Sequence, residues 1–360
     1  MRVLHVESGR HLYGGACQVL YILEGLARRG VENVLACRRG APVVEFARAH
    51  ARVFEMPMKG DADFSLVFQL KHLIAATRPD IVHLHSRRGA DLWGGVAARL
   101  AGVPCVLSRR VDNPEARWVV ALKYRLYDHV IAISEGIRRV LLAEGLAPER
   151  VSCVRSAMDA APYLIDYDKV AFRAHLGLAP DTLVIGMVAQ LIPRKGHRYL
   201  LAALEDVLPH HPNLRVLLFG RGPLESELKR AIADHGLSAH VCMMGFVDNL
   251  SEILGCLDLL VHPADMEGLG VSLLQAAAAR VPIIASRAGG MPEVVRDGEN
   301  GLLIAPGDVP GLATAMNRLL DDADLRRRAG EAGRALILRE FSTDVMCEGN
   351  LAVYRKTIGE

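Results

Sequence analysis

The sequence predicts two consecutive doubly wound α/β domains, each a parallel sheet flanked by helices. Three observations predict it. Short β-rich runs alternate with amphipathic helical segments through the first half of the chain. The same alternation starts afresh after residue 165. And 360 residues, 51% hydrophobic and 23% charged, suffice for two medium domains with full cores, which argues against disorder.

RVLHV reads as the first strand. The segment MRVLHVE carries one basic residue, and His5 and Glu7 cut its apolar stretch, so it does not fit a signal peptide. CQVLYILEGLAR sets Val19, Leu20, Leu23, Leu26 and Ala27 at helical spacing, and Gly30 stops it. NVLACR, DIVHLHS, VPCVLS and HVIAIS follow as strands with amphipathic segments between them. SAMDAAPYLIDYDK lacks periodicity and reads as a linker. TLVIGMVA, LRVLLFG, HVCMMG, DLLVHP and VPIIAS are five strands of a second array, and three helical segments after LLI close the chain. The expected domains are 1–163 and 164–341. No uncharged apolar run reaches the length of a membrane span.

Seven scattered cysteines form no C-x-x-C pair, and an odd count argues against a disulfide framework; a reducing, cytoplasmic setting is expected. Net charge is +2 but uneven. Residues 1–163 hold 23 Lys+Arg against 16 Asp+Glu, whereas residues 164–360 hold 20 against 25. A basic first half suggests an anionic partner, although a solvated surface with uneven charge fits as well. No nucleic-acid partner is expected.

In open parallel sheets ligands bind beyond the carboxyl ends of the strands. Gly14 and Gly15, after the first strand, open a helix whose N-terminus favours an anion; a plain tight turn fits equally, since the full G-x-G-x-x-G spacing is absent. His83 and His85 end another strand. No further ligands stand at compatible positions, so no metal is expected; one histidine lining a cleft and a packed, hydrogen-bonded histidine are both open readings. Arg109 and Arg110, in SRRVDNP, suit a phosphate or carboxylate, with a surface arginine pair as the alternative. VAQLIPRKG places Arg194 and Lys195 beside Gly196, a natural diphosphate clamp. FGRGPLE repeats the logic with Gly220 and Gly222. MMGFVDN puts Gly245 and Phe246 where a base could rest. EGLG and AGGMPEV follow, the latter with Gly289, Gly290 and Glu293. Five such motifs, each after a strand of one sheet, point to a nucleotide site.

In this order the motifs resemble those of the retaining glycosyltransferases of family 4, which have the GT-B fold. PRKG, GRGP, EGLG opening an E-x(7)-E-like segment, GGMPE, NGLLI and PGD carry the resemblance, most specifically from Val188 to Asp308. It implies two Rossmann-like domains facing a cleft, with a last helix, within 342–360, crossing back to the first domain. It implies a nucleotide-diphosphate sugar as donor substrate, no cofactor and no metal. Lys195 would bind the diphosphate, helped by the backbone at Gly14 and Gly15. Glu267 would contact the transferred sugar, with the amides of Gly268, Leu269, Gly270 and Val271. Gln275 would reach the ribose, and Gly245, Phe246 and Val247 the base. His85 would line the reaction centre, and Arg109 and Arg110 the acceptor. Three positions depart from the family's pattern: Gln190 replaces a common arginine, Gln275 the second glutamate, and Arg110 a common histidine. Arg194 stands where it could replace the missing diphosphate arginine.

The resemblance implies sugar transfer in cell-surface glycan or lipid-linked glycoconjugate synthesis, including lipopolysaccharide, and the basic first half, with Arg87, Arg88, Arg109 and Arg110, suggests peripheral association at the inner membrane. Two alternatives stand beside it. One is a nucleotide-sugar epimerase or hydrolase of the same fold. The other is a non-catalytic sugar-nucleotide binder, suggested by the substitutions at 190 and 275.

Overall fold

The computed structural model describes residues 1–12, 14–85, 89–111 and 113–360. The chain divides into two compact units, Met1–Met158 with Phe341–Glu360, and Asp159–Glu340. The boundary falls slightly before the one expected from the sequence, for a local reason. Met158 pairs with the returning segment, its amide donating to the Phe341 carbonyl at 3.0 Å. The turn at Ala161–Tyr163 instead joins the second unit, where Arg334 donates to the Tyr163 carbonyl at 3.0 Å.

Unit 1 is built on β1 (Arg2–Glu7), β2 (Glu32–Arg38), β3 (Arg52–Met56), β4 (Ile81–Leu84), β5 (Cys105–Arg109), β6 (His129–Ala132) and β7 (Val151–Cys153). Their order is β3-β2-β1-β4-β5-β6-β7, all parallel. The chain winds outward from β1, returns to β4 beside it, and winds outward again, so the switch point lies between β1 and β4. Side chains alternate across this sheet as its period of two requires. Leu4, Val82, Leu107 and Val130 face the helices Ser65–Thr77 and Ala90–Ala101. Val3, Ile81, Val106 and Ile131 face Ile22 and Leu26 of the helix Gly14–Arg28, and Val353 and Tyr354 of the helix Thr343–Ile358. That last helix therefore supplies part of this unit's core.

Two strands of unit 1 were not expected. RVFEM (β3) is an edge strand with Arg52 and Glu55 exposed, and charge on an edge hides the apolar signal. VSC (β7) is three residues long.

Unit 2 is built on β8 (Val184–Val188), β9 (Arg215–Phe219), β10 (Val241–Gly245), β11 (Leu259–His262), β12 (Ile283–Ser286) and β13 (Gly301–Ile304), in the order β10-β9-β8-β11-β12-β13, again all parallel. Its switch point lies between β8 and β11. Ile185, Met187, Val216, Leu218, Leu259 and Val261 fill the space beneath the helices His197–Val207 and Val309–Asp321. All seven cysteines are free thiols. Among the described residues no helix is long and apolar enough to cross a membrane.

Candidate active site

Parallel pairing of β8 with β11 sets their trailing loops side by side, and the side chains expected to work together meet there. After β8, Pro193–Lys195 form one turn of 3-10 helix that ends at Gly196 in the left-handed region, with φ 78°. A Cβ at Gly196 would stand 2.0 Å from the Pro263 carbonyl oxygen, so only glycine lets the two loops close. The Asp265 amide donates to the Arg194 carbonyl at 2.8 Å and fastens them. Lys195, only 8% exposed, donates to the Glu267 carboxylate. His262, buried at the end of β11, lies with Nε2 3.3 Å from the same carboxylate oxygen and donates to it.

Burial alone would raise the Glu267 pKa. The His262 hydrogen bond and the Lys195 charge outweigh it and hold the group down at about 2. Glu267 is thus a carboxylate at any physiological pH. His197 is buried beside this group with both ring nitrogens unpartnered among the described residues. Burial first, then His262 and Lys195, pull its pKa down to about 4 and keep it neutral. The sequence reading missed His262 and His197. A histidine closing β11, one residue before a loop that carries an acid, was the signal for the first.

The glycine loops have a reason the sequence did not disclose. At Gly220, φ is 133°, and a Cβ would stand 1.9 Å from the Ala189 carbonyl oxygen. A Cβ at Gly222 would stand 2.4 Å from the Leu191 carbonyl oxygen. These glycines pack two strand-end loops against each other, whether or not a ligand also approaches. Gly245 closes β10 and accepts the Gly220 amide at 2.7 Å. Phe246 beyond it is 55% exposed, and the Arg221 guanidinium lies over its ring, 5.7 Å from the centroid. Val247 is half-buried. A flat aromatic face with a cation on it suits a nucleobase; Arg221 was not singled out in the sequence.

In EGLG the Gly268 amide donates to the Glu267 side chain at 3.2 Å, so it is engaged with the protein rather than open to a sugar hydroxyl. The Leu269 side chain is buried. Gly270 caps the helix Val271–Ala278; its carbonyl accepts the Leu273 and Leu274 amides at 3.0 and 3.2 Å, and the Val271 and Ser272 amides precede the first intrahelical bond. Gln275 sits half-buried in the second turn, and Leu273, Leu274 and Ala276 to Ala278 bury the opposite face. The Gly290 amide donates to the Glu267 carbonyl at 3.1 Å, tying GGMPE to the same point. Arg194 and Gln190 are exposed.

In unit 1, Gly14 and Gly15 open the first helix as expected. Gly15, His85, Arg109 and Arg110 line a cavity of about 630 Å³ with Glu7 and Lys123. The two arginines differ. Arg109 is buried and already engaged. It pairs with Glu115 at 2.9 Å and donates to the carbonyls of Val111, at 3.0 Å, and Asn113. Arg110 makes no such pair among the described residues. His83 is also engaged, with Tyr354 Oη at 2.5 Å and Ser108 Oγ at 2.8 Å. The sequence reading saw only two histidines here. The register of β1 on β4 sets His5 opposite His83, and one ring nitrogen from each of His5, His83 and His85 lies within 4.8 Å of the others. Arg87 and Arg88, which contribute to the basic first half, lie outside the described residues.

Comparison with known proteins gives the family and the fold. The family "Glycosyltransferase Family 4" matches residues 13–161, and "Glycosyl transferases group 1" matches residues 168–336. The 2-deoxystreptamine glucosyltransferase of Streptomyces kanamyceticus is 30% identical over 307 residues, covering 78% of this chain and 77% of its own. The lipopolysaccharide core biosynthesis glycosyltransferase LpsE of Rhizobium meliloti is 26% identical over 355 residues, covering 98% of each. Among solved structures, Anabaena HepE in complex with UDP superimposes with a TM-score of 0.86 at 20% identity, covering 99% of this chain and 100% of that one.

Proposed function

We propose that this chain, which belongs to glycosyltransferase family 4 and is a glycosyltransferase of the GT-B fold, holds a nucleoside diphosphate sugar at the β8/β11 switch point and transfers the sugar with retention. The observation that carries this reading is the contact of Lys195 with Glu267 across loops brought together by β8 and β11. Breaking the bond between the anomeric carbon and the diphosphate oxygen puts negative charge on that oxygen. A lysine and the free amides of a helix start are suited to stabilise it. Lys195 exchanges its carboxylate partner for the diphosphate when the donor enters. Glu267, released and still ionised, then accepts hydrogen bonds from sugar hydroxyls. The acceptor hydroxyl adds to the anomeric carbon on the face the diphosphate leaves, and its proton passes to the departing phosphate oxygen. The charge is carried by protein groups, and no step requires a metal.

The sequence relatives favour transfer over the epimerase, hydrolase and binding-protein alternatives. The test is a thermal-shift panel of nucleoside diphosphate sugars, since a ligand of the folded state raises stability. The stabilising donor is then incubated with lipid-linked and lipopolysaccharide acceptors. Release of free sugar alone would favour a hydrolase. Binding without turnover on every acceptor would favour a binding protein.

Gln275 lies one turn inside the helix that Gly270 opens, within the family's ribose position. An amide accepts a hydrogen bond without the strength a charge adds. Gln275→Glu is expected to tighten donor binding about fivefold, roughly 1 kcal/mol. Calorimetric titration reads it, and an unchanged affinity would place this side chain away from the ribose.

The acceptor side fits a membrane surface. Phe64 and Phe68 are 63% and 74% exposed, and Trp118 and Leu122 are 69% and 60% exposed. Phe64 packs on Trp93, with ring centroids 4.6 Å apart. Val119 and Lys123 of the helix Arg117–Lys123 line a hollow together with Asp61 and Leu92. Exposed aromatics beside basic residues favour a peripheral position on anionic lipid at the cytoplasmic face. Sedimentation with anionic vesicles is expected to fall when Phe68 and Trp118 are both changed to Ser, and to fall in high salt. Equal partitioning of both proteins at both salt levels contradicts it.

A further inference from the structure

A chain of hydrogen bonds runs from the interior of unit 1 to its cavity, and its direction is fixed at both ends. It begins at Asn33 on β2, whose Nδ2 donates to two backbone carbonyls, Leu23 at 2.8 Å and His50 at 3.1 Å. The amide is thereby oriented, and its Oδ1 faces His5 Nε2 at 3.3 Å. His5 Nε2 must carry the proton, which leaves a lone pair on Nδ1. His5 Nδ1 lies 2.9 Å from His85 Nε2, which therefore donates. His85 Nδ1 is left as an acceptor, and Arg110 Nη2, which can only donate, stands 3.4 Å away. Starting from Arg110 gives the same order. Burial keeps both rings neutral: it pulls the His5 pKa down to about 4, and burial with His83, His5 and Arg110 nearby pulls the His85 pKa well below its ordinary value. The lone pairs of His5 Nδ1 and His85 Nδ1 are spent in this order, which competes with use of the same cluster as a metal nest.

The chain ends on a cation that has no direct ion pair among the described residues. Among the described residues Arg110 has no carboxylate within ion-pair distance, and its Nε is buried without a hydrogen-bond partner. The other buried cations on the cavity are matched: Arg109 by Glu115 at 2.9 Å, and Lys123 by Asp91 at 2.7 Å and Glu115 at 3.2 Å. Glu7, itself buried, is the acid whose charge acts on this guanidinium, but it makes no ion pair with it among the described residues, and one of its oxygens is taken by the Gly9 amide at 2.7 Å. A guanidinium drawn out of water without a direct ion pair is costly. The cavity gives room for a ligand to supply one.

We propose that Arg110 is an oxyanion receptor, binding a phosphate or carboxylate group of the acceptor-side ligand in the unit 1 cavity, and that Asn33, His5 and His85 are positioning residues that aim its fork. The proposal rests on the reading of unit 1 as the acceptor domain. The planar fork of arginine matches two oxygens of either group, so the shared chemistry is the oxyanion.

The test uses protein carrying Lys195→Ala, so that the diphosphate site of unit 2 does not take up the probe. Inorganic phosphate and free glucuronate are titrated by calorimetry, and the histidine ring nitrogens are followed by ¹⁵N NMR. The expected results are binding of at least one probe, a loss of about tenfold on adding Arg110→Gln, and a loss of about threefold on adding Asn33→Ser, which touches no cavity atom. His5 and His85 are expected to appear as neutral rings protonated on Nε2, with His85 Nδ1 shifting as the probe binds. Phosphate alone binding identifies a phosphorylated ligand, and glucuronate alone an acidic sugar. If Arg110→Gln fails to fold, Arg110→Lys replaces it, with weaker binding expected because an ammonium cannot make two parallel bonds. Binding of neither probe, equal affinity in the arginine variant, or an Nδ1-protonated His85 overturns the receptor. Unchanged affinity in Asn33→Ser overturns the positioning chain. These titrations need no donor turnover, so their failure is distinct from failure of the transferase reading.

Discussion

Lys195→Ala is expected to lower turnover about 10²–10³-fold and to weaken free nucleoside diphosphate about 10–100-fold. The lysine is nearly buried, its loop is locked by Gly196 against Pro263, and its only ion-pair partner among the described residues is Glu267. The ammonium is thus already desolvated and aimed before a donor arrives, which is the condition under which a single charge matters most. Its loss removes stabilisation of the leaving diphosphate and part of ground-state binding, so initial rates and nucleotide titration should both fall. Arg194 is the neighbouring cation, exposed and with no side-chain partner among the described residues. Arg194→Ala is expected to weaken the diphosphate to a lesser degree; no change would leave the missing arginine at position 190 uncompensated.

Glu267→Ala is expected to remove turnover about as completely, by about 10²–10³-fold, with the opposite effect on the nucleotide. In the structure this carboxylate neutralises Lys195 and accepts from His262. Deleting it frees the lysine, so a nucleoside diphosphate no longer has to displace a competitor. Binding should be retained or tightened while transfer is lost, because the sugar loses its anchor. Since the carboxylate is held at about 2, its ionisation should not shape the rate profile above about pH 4. A variant that loses rate and nucleotide affinity together would mean that Glu267 holds the shape of the site rather than the sugar.

What the sequence disclosed follows from which signals are local. Central strands buried on both faces read as apolar runs, so IVHL and VIGMV were legible. The charged edge strand RVFEM and the three-residue VSC were not. The motifs after β8 and β11 were legible one by one, since a ligand site at strand ends follows from parallel topology. Their contact was not, because Lys195 and Glu267 stand 72 residues apart and meet only through strand order. Arg109 and Arg110 look alike in the sequence and both line the cavity, yet one is the last residue of β5, turned onto Glu115, and the other follows the strand and makes no ion pair among the described residues. Alternation along an extended chain separates neighbours in this way, and only the position of Glu115 tells which is engaged. His5 and His262 were read as ordinary strand residues because the polar partners that define them come from other strands and loops.

The central claim is that one lysine is shared between Glu267 and the donor's diphosphate. Calorimetric titration of a nucleoside diphosphate against wild type, Lys195→Ala and Glu267→Ala, side by side at one salt concentration, tests it most directly. The account predicts opposite signs: weaker binding in Lys195→Ala, and equal or tighter binding in Glu267→Ala. Equal affinity in all three proteins, or loss in Glu267→Ala with retention in Lys195→Ala, would contradict it.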